Sequence, residues 1–178
     1  VILPFNQTDP DPVNHTTWED QGIRAKVIRP HKNFLFALNV QKGGVDYPTM
    51  VKISHAMELG GLPITWDETD FRYLAREFVI PAPPCPRLAL MSLRDTAVVY
   101  KEDSCWGFDF VGGAFVWNRK RMFDTVNMLA PRCGAEFQGQ HFVVTNGDVV
   151  LHNGASAQSI INKRVRNFLF ASINNDTK

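Results

Sequence analysis

The feature that most constrains the fold is a hairpin signal near the carboxyl end of the chain. Two apolar runs flank the pair Asn146-Gly147, which is the strongest sequence signal for a two-residue hairpin turn. Such a turn fixes the register of the strands that it joins, so His141 is predicted to face His152 across the hairpin. These two imidazoles are therefore expected to occupy one place in the fold.

The rest of the chain shows both strand and helix patterns. Alternating or extended apolar runs predict strands over residues 23–28, 33–40, 87–93 and 96–100. Apolar residues at helical spacing predict helices over residues 49–59, 67–80, 104–129 and 155–171. Together these elements predict an α+β fold with a helical part and an antiparallel β part.

Composition excludes several classes of protein. The 178 residues carry a net charge of +1, which offers no bulk attraction to nucleic acid or anionic lipid, so nucleic acid is not expected as a partner. No apolar run is long enough to span a membrane. The three cysteines, Cys85, Cys105 and Cys133, are too few and too irregularly spaced for a disulfide framework or a zinc site. Free thiols in a reducing, intracellular compartment are expected, with no metal or organic cofactor.

Cys105 differs from the other two cysteines in its local sequence. Ser104 is predicted to cap a helix that starts at Cys105, and a helix start favours negative charge on the sulfur. A thiol with a lowered pKa is the form that acts as a catalytic nucleophile. The alternative is that Cys105 is a small buried apolar residue beside Trp106.

The segment 104–108, Ser-Cys-Trp-Gly-Phe, resembles the nucleophile segment of papain-like cysteine proteases. The resemblance implies a two-lobed papain-like fold with Cys105 as the nucleophile. The chain departs from papain itself, since Glu102 and Asp103 precede the motif and no glutamine lies just upstream to supply the oxyanion donor.

Within that family, the chain is most similar to the viral leader proteases and, among these, to the hypovirus polyprotein autoprotease domain. Those proteases place a histidine some tens of residues after the Cys-Trp pair, and His152 follows Cys105 by 47 residues. The resemblance implies a Cys-His dyad that cuts its own polyprotein once, after a small residue shortly beyond Lys178, in the host cytoplasm.

The sequence leaves the identity of the catalytic base open. Spacing from Cys105 favours His152, whereas the apolar strand that begins at His141 is typical of a papain-like catalytic histidine. In either arrangement the second histidine or a nearby polar residue would orient the base. A third interpretation is that the two histidines are only a cross-strand pair.

One protease domain is expected over residues 1–178. It comprises an irregular arm (1–22), an amino-terminal part without a recognised pattern (23–86) and a catalytic core (87–178). The alternative function is a non-enzymatic nucleic-acid-binding or interaction domain of a viral polyprotein. It is motivated by the basic runs 119–121 and 163–166, although no aromatic residues are interleaved with them along the sequence.

Overall fold

The computed structural model of the chain describes residues 3–81 and 88–172. The chain divides into two compact units, Val1–Pro86 (unit 1) and Arg87–Lys178 (unit 2). Both units consist of antiparallel strands, and the described residues contain a single α-helix. The predicted α+β papain-like fold with a helical lobe is therefore wrong: the chain is almost entirely antiparallel β-structure.

Unit 1 is organised around one four-stranded sheet. Its strands are β1 (Pro4–Asn6), β2 (Thr16–Thr17), β3 (Ile23–His31), β4 (Phe34–Lys42), β5 (Val45–Ile53) and β6 (Arg76–Val79), with a 3-10 turn at Pro12–Asn14. The order in the sheet is β3-β4-β5-β6, and β1 pairs with β2. Strands β3 and β4 confirm the two strands predicted at 23–28 and 33–40.

Unit 2 contains two four-stranded sheets. The first has the order β10-β9-β8-β7 and the second β11-β12-β13-β14. The elements are β7 (Ala89–Leu93), β8 (Thr96–Tyr100), β9 (Cys105–Gly112), β10 (Val116–Phe123), β11 (Gly134–Phe137), β12 (Gln140–Val144), β13 (Val149–His152), β14 (Ala157–Ser159) and helix α1 (Lys163–Ser172). Strands β7 and β8 confirm the strands predicted over 87–93 and 96–100, although β7 begins at Ala89. The β12–β13 hairpin confirms the predicted register, because His141 pairs with His152.

The core of unit 2 draws on both sheets. Its buried members are Ala89, Leu93, Val98, Tyr100, Cys105, Val126, Met128 and Val143. The sheets meet where β11 lies next to β7. A Cβ at Gly134 would lie 2.7 Å from the Cε of Met91, so a larger residue there would require this flexible methionine side chain to move. Functional residues on either sheet can therefore meet in one core.

Two predicted helices of unit 1 are strands and loops instead. Residues 49–53 lie in β5, where Thr49, Val51 and Ile53 supply the β-branched side chains that favour a strand. The helix predicted over 67–80 does not form: at its predicted start the Asp67 carboxylate accepts hydrogen bonds from the backbone and hydroxyl of Thr69 in a local turn. Residues 76–79 then form β6.

The predicted helix over 104–129 is wrong because its aromatic residues repeat every two positions. Trp106, Phe108 and Phe110 share one face of β9, whereas Cys105 lies on the opposite face. A period of two is a strand pattern, and a helix would scatter these rings around its axis. The segment therefore forms the β9–β10 hairpin.

The carboxyl-terminal helix exists but is shorter than predicted. It covers Lys163–Ser172 rather than 155–171, because β14 occupies part of that range. Asn162 caps it, its side-chain oxygen accepting a 2.9 Å bond from the backbone N–H of Val165. Its apolar residues Val165 and Phe168 are both exposed, so this stripe of the helix is not part of the core. Over the described part of the chain, every helix is too short or too polar to cross a membrane.

Candidate functional site

Cys105 is the first residue of β9 and is fully buried. The predicted helix start is wrong, so no helix dipole acts on the sulfur. Burial raises the pKa of the thiol to about 12, although a bond to the Phe123 backbone opposes the change. The group is therefore an un-ionised thiol near neutral pH, and the electrostatic reason for expecting a nucleophile is absent.

Tyr100 is the cross-strand neighbour of Cys105, and its hydroxyl contacts both predicted histidines. The Tyr100 hydroxyl lies 2.7 Å from Nδ1 of His141 and 2.5 Å from Nε2 of His152. All three side chains are buried. Cross-strand pairing places the imidazoles side by side, with ring centroids 5.3 Å apart.

The remaining ring nitrogens have backbone partners. Nε2 of His141 lies 2.8 Å from the carbonyl oxygen of Ser92, and Nδ1 of His152 lies 3.3 Å from the backbone nitrogen of Gly154. Every imidazole nitrogen of the pair is thus hydrogen-bonded to a group other than the Cys105 thiol. We call this set of bonds, from Gly154 through His152, Tyr100 and His141 to Ser92, the histidine–tyrosine chain.

Burial determines the charge state of the histidine–tyrosine chain. It lowers the pKa of His152 to about 4, with a contribution from neighbouring His141. Burial also lowers the pKa of His141, against the opposing effects of the Ser92 carbonyl and the Glu136 carboxylate. The same cause raises the pKa of Tyr100. All three groups are therefore neutral near pH 7.

These properties limit the chemistry of the cluster. A cysteine protease needs a thiol whose proton an imidazole can take and whose sulfur a peptide can reach. Here the Cys105 sulfur lies in an apolar core, and the ring nitrogens are occupied. Within residues 3–81 and 88–172, no group of three His, Cys, Asp or Glu side chains is arranged to hold a metal ion. Cys133 is half-buried, and Cys85 lies outside the described residues.

Unit 1 contains a second buried polar cluster. Lys52 is fully buried and forms ion pairs with Glu68 and, at 3.4 Å, with Glu77. Lys42 lies 3.1 Å from Glu68 and 2.5 Å from Glu77. Burial alone raises the pKa of Glu68, but the two ammonium groups outweigh it and lower that pKa to about 2. The matched charges indicate a structural ion-pair network.

The β9–β10 hairpin presents a surface that sequence reasoning missed. Cross-strand pairing sets Arg121 opposite Trp106, with the guanidinium carbon 5.9 Å from the indole ring centre. On the same face Arg119 is exposed and Phe110 is 40% exposed, and Phe115, in the turn that joins the two strands, is 83% exposed. We call these five residues the hairpin platform. The interleaving of cations and rings arises across two strands, so only the predicted pairing of a hairpin could have revealed it.

The charges of the platform are partly balanced by carboxylates. Arg121 pairs with Asp124 at 2.6 Å, and that carboxylate is 75% exposed. Lys120, on the opposite face of β10, pairs with Asp109 at 2.8 Å. Exposed pairs of this kind contribute little free energy, so a stronger anionic ligand can replace Asp124. The second basic run, 163–166 in α1, is less available to an anionic ligand, because Arg166 pairs with Asp148.

Comparison with known proteins adds no assignment: no protein-family model matches the chain, and no curated protein matches its sequence.

Proposed function

We propose that unit 2 is a non-enzymatic domain that binds single-stranded nucleic acid on the hairpin platform. The observation that carries the proposal is that two exposed arginines, Arg119 and Arg121, lie on the hairpin face that also carries half-exposed Trp106 and exposed Phe110. Phe108, which lies between these rings on the same face, is buried. Single strands bind to surfaces of this composition, because cations contact phosphates while unpaired bases stack on the rings.

The distribution of charge favours stacking as the main source of affinity. With a net charge of +1, the chain offers little long-range attraction to phosphate. Exposed Phe115 and Phe110 offer apolar area that a base can cover, and each stacked base contributes about 1–3 kcal/mol. Binding is therefore expected to be modest in affinity, tolerant of sequence and weakly dependent on salt.

The test uses a fluorescein-labelled single-stranded RNA of about 12 nucleotides, within the usual site size, and fluorescence anisotropy. Two phosphate contacts predict a slope of log K against log salt of about −1.4, or an about sevenfold loss of affinity from about 50 to about 200 mM salt. Phe115→Ala is expected to weaken binding at least about fivefold without changing the slope. Arg119→Ala is expected to reduce the slope by about half.

Matched substitutions outside the platform serve as controls. Phe137 is 63% exposed on the other sheet, and Arg72 is an exposed arginine of unit 1, so neither F137A nor R72A should alter binding. Absence of RNA binding at low salt contradicts the proposal. So does equal competition by polyglutamate, because a surface that recognises charge alone does not use its rings.

The peptidase is the second candidate, and one observation favours it. Cys105, His141 and His152 converge on a single side chain, Tyr100, in one core cluster. For this cluster to act as a protease, Tyr100 must move away and the two sheets must part enough to admit a peptide. An endopeptidase acting on its own polyprotein, after a small residue beyond Lys178, stays a proposal that self-cleavage decides.

A further inference from the structure

The hydrogen atoms of the histidine–tyrosine chain can be assigned from its partners. The Ser92 carbonyl can only accept, so Nε2 of His141 carries a proton and its Nδ1 is an acceptor. The Tyr100 hydroxyl therefore donates to that Nδ1. Its oxygen then accepts from Nε2–H of His152, whose Nδ1 accepts from the backbone N–H of Gly154. Both neutral histidines thus carry their proton on Nε2, and the bonds run in one direction.

This order has no place for an additional proton. A proton on Nδ1 of His152 would point at the Gly154 N–H, and a proton on Nδ1 of His141 would point at the Tyr100 O–H. In either case two donors face each other inside the core, and one of them loses its partner. A buried donor without a partner destabilises the closed arrangement.

The groups around the two histidines carry charges of both signs. Glu136 lies opposite His141 on β11, and its carboxylate favours a protonated imidazole. On the side of His152, Arg94 in the β7–β8 turn donates to the carbonyl of Asn153 at 2.9 Å, and the ring of Phe123 packs 5.4 Å from the imidazole. Burial, to which the Phe123 ring contributes, and the neighbouring His141 oppose a charge on His152.

The same bonds connect the two sheets of unit 2. Tyr100 and Ser92 belong to the first sheet, and His141 and His152 belong to the second. Three hydrogen bonds therefore cross between the sheets, and Cys105 lies buried beside them. Loss of these bonds removes the hydrogen bonds that the histidine–tyrosine chain makes between the two sheets near the Cys105 thiol.

We propose that the histidine–tyrosine chain is an acid-sensitive lock between the two sheets, and that protonation of His152 opens it and exposes the Cys105 thiol. An accessible histidine takes up a proton near pH 6.5. The open state therefore gains a proton, and the closed state does not, as the pH falls below that value. The closed form is fully favoured well above about pH 6.5. Below that value the ratio of closed to open molecules falls about tenfold per pH unit for each histidine that titrates.

The experiment measures how strongly folding protects Cys105 from a thiol reagent that reacts in acid, such as dithiodipyridine. Mass spectrometry of peptides reads Cys105 separately from Cys133. Dividing the rate for the unfolded chain by that for the native chain, at each pH, removes the intrinsic pH dependence of the reagent. Between about pH 6.5 and about pH 5, protection is expected to fall at least about 15-fold.

A conservative variant isolates His152. Glutamine can donate from the position of Nε2 but does not titrate, so His152→Gln should lower the slope of log protection against pH by about one. The control His15→Gln, a half-buried histidine of unit 1, should leave the slope unchanged. A wild-type profile without slope, or the same slope in H152Q, overturns the proposal.

A measurement on the unaltered protein keeps the proposal testable if H152Q does not fold. Nitrogen-15 NMR distinguishes the two neutral tautomers and the imidazolium. At about pH 7.5 both His141 and His152 are expected as neutral rings protonated on Nε2. Burial holds the pKa of each ring below the ordinary histidine value of about 6.5. An Nδ1–H tautomer or an imidazolium at either position overturns the assigned order.

Discussion

Removal of one oxygen atom, by Tyr100→Phe, tests the central contact of unit 2. The hydroxyl donates to Nδ1 of His141 and accepts from Nε2 of His152, so phenylalanine leaves one buried acceptor and one buried donor without partners. Each unpaired group costs about 1–3 kcal/mol, and the variant regains the cost of burying the hydroxyl. We expect the free energy of unfolding of unit 2 to fall by about 2–4 kcal/mol.

Equilibrium urea unfolding at neutral pH, followed by tryptophan fluorescence, measures this loss. Trp106 and Trp117 report on the sheet that contains Tyr100. The matched control is Tyr47→Phe in β5, whose side chain is 39% exposed and whose loss of a hydroxyl should change stability by less than about 0.5 kcal/mol. If Y100F costs no more than Y47F, the hydroxyl does not bridge the two imidazoles, and the acid-sensitive lock loses its basis.

Two further predictions concern Glu68 and Cys105. With a pKa lowered from 4.5 to about 2, the Glu68 carboxylate contributes about 3 kcal/mol above pH 4.5, a contribution lost as the pH falls toward 2. Glu68→Gln should therefore be less stable than wild type in urea at neutral pH and equal to it near pH 2; a constant difference contradicts the assignment. For the second, a fusion that extends the chain beyond Lys178 with a glycine-containing linker and a reporter domain should stay uncut with and without Cys105→Ala, and Cys105-dependent splitting would instead support the peptidase.

The β12–β13 hairpin could be predicted because its signal is local. Asn146-Gly147 and the apolar runs beside it specify the turn, the strands and the register within a dozen residues. The neighbourhood of His141 and His152 follows from that register without any knowledge of the rest of the fold. Their bonds to Tyr100 and Ser92 could not be predicted, because these depend on how a second sheet packs against the hairpin.

The helix predicted over 104–129 rests on a short motif, whereas the structure of β9 follows the period of its side chains. Ser-Cys-Trp at 104–106 suggested a helix start, whereas Trp106, Phe108 and Phe110 alternate as strand residues do. The motif therefore predicts Cys105 at a helix start, whereas the residue lies in the interior of a sheet. The hairpin platform could not be predicted from a helix, because Arg121 lies opposite Trp106 only when the segment folds back as a hairpin.

The position of β10 has a consequence for the behaviour of the protein at high concentration. It is the outermost strand of its sheet, and Arg119, Lys120 and Arg121 are all exposed along it. Two molecules that approached through these strands would bring like charges together, which discourages intermolecular β-sheet growth. The same cations therefore favour solubility. Concentrated salt, which screens their repulsion, or substitutions that remove the charges should make the chain prone to self-association.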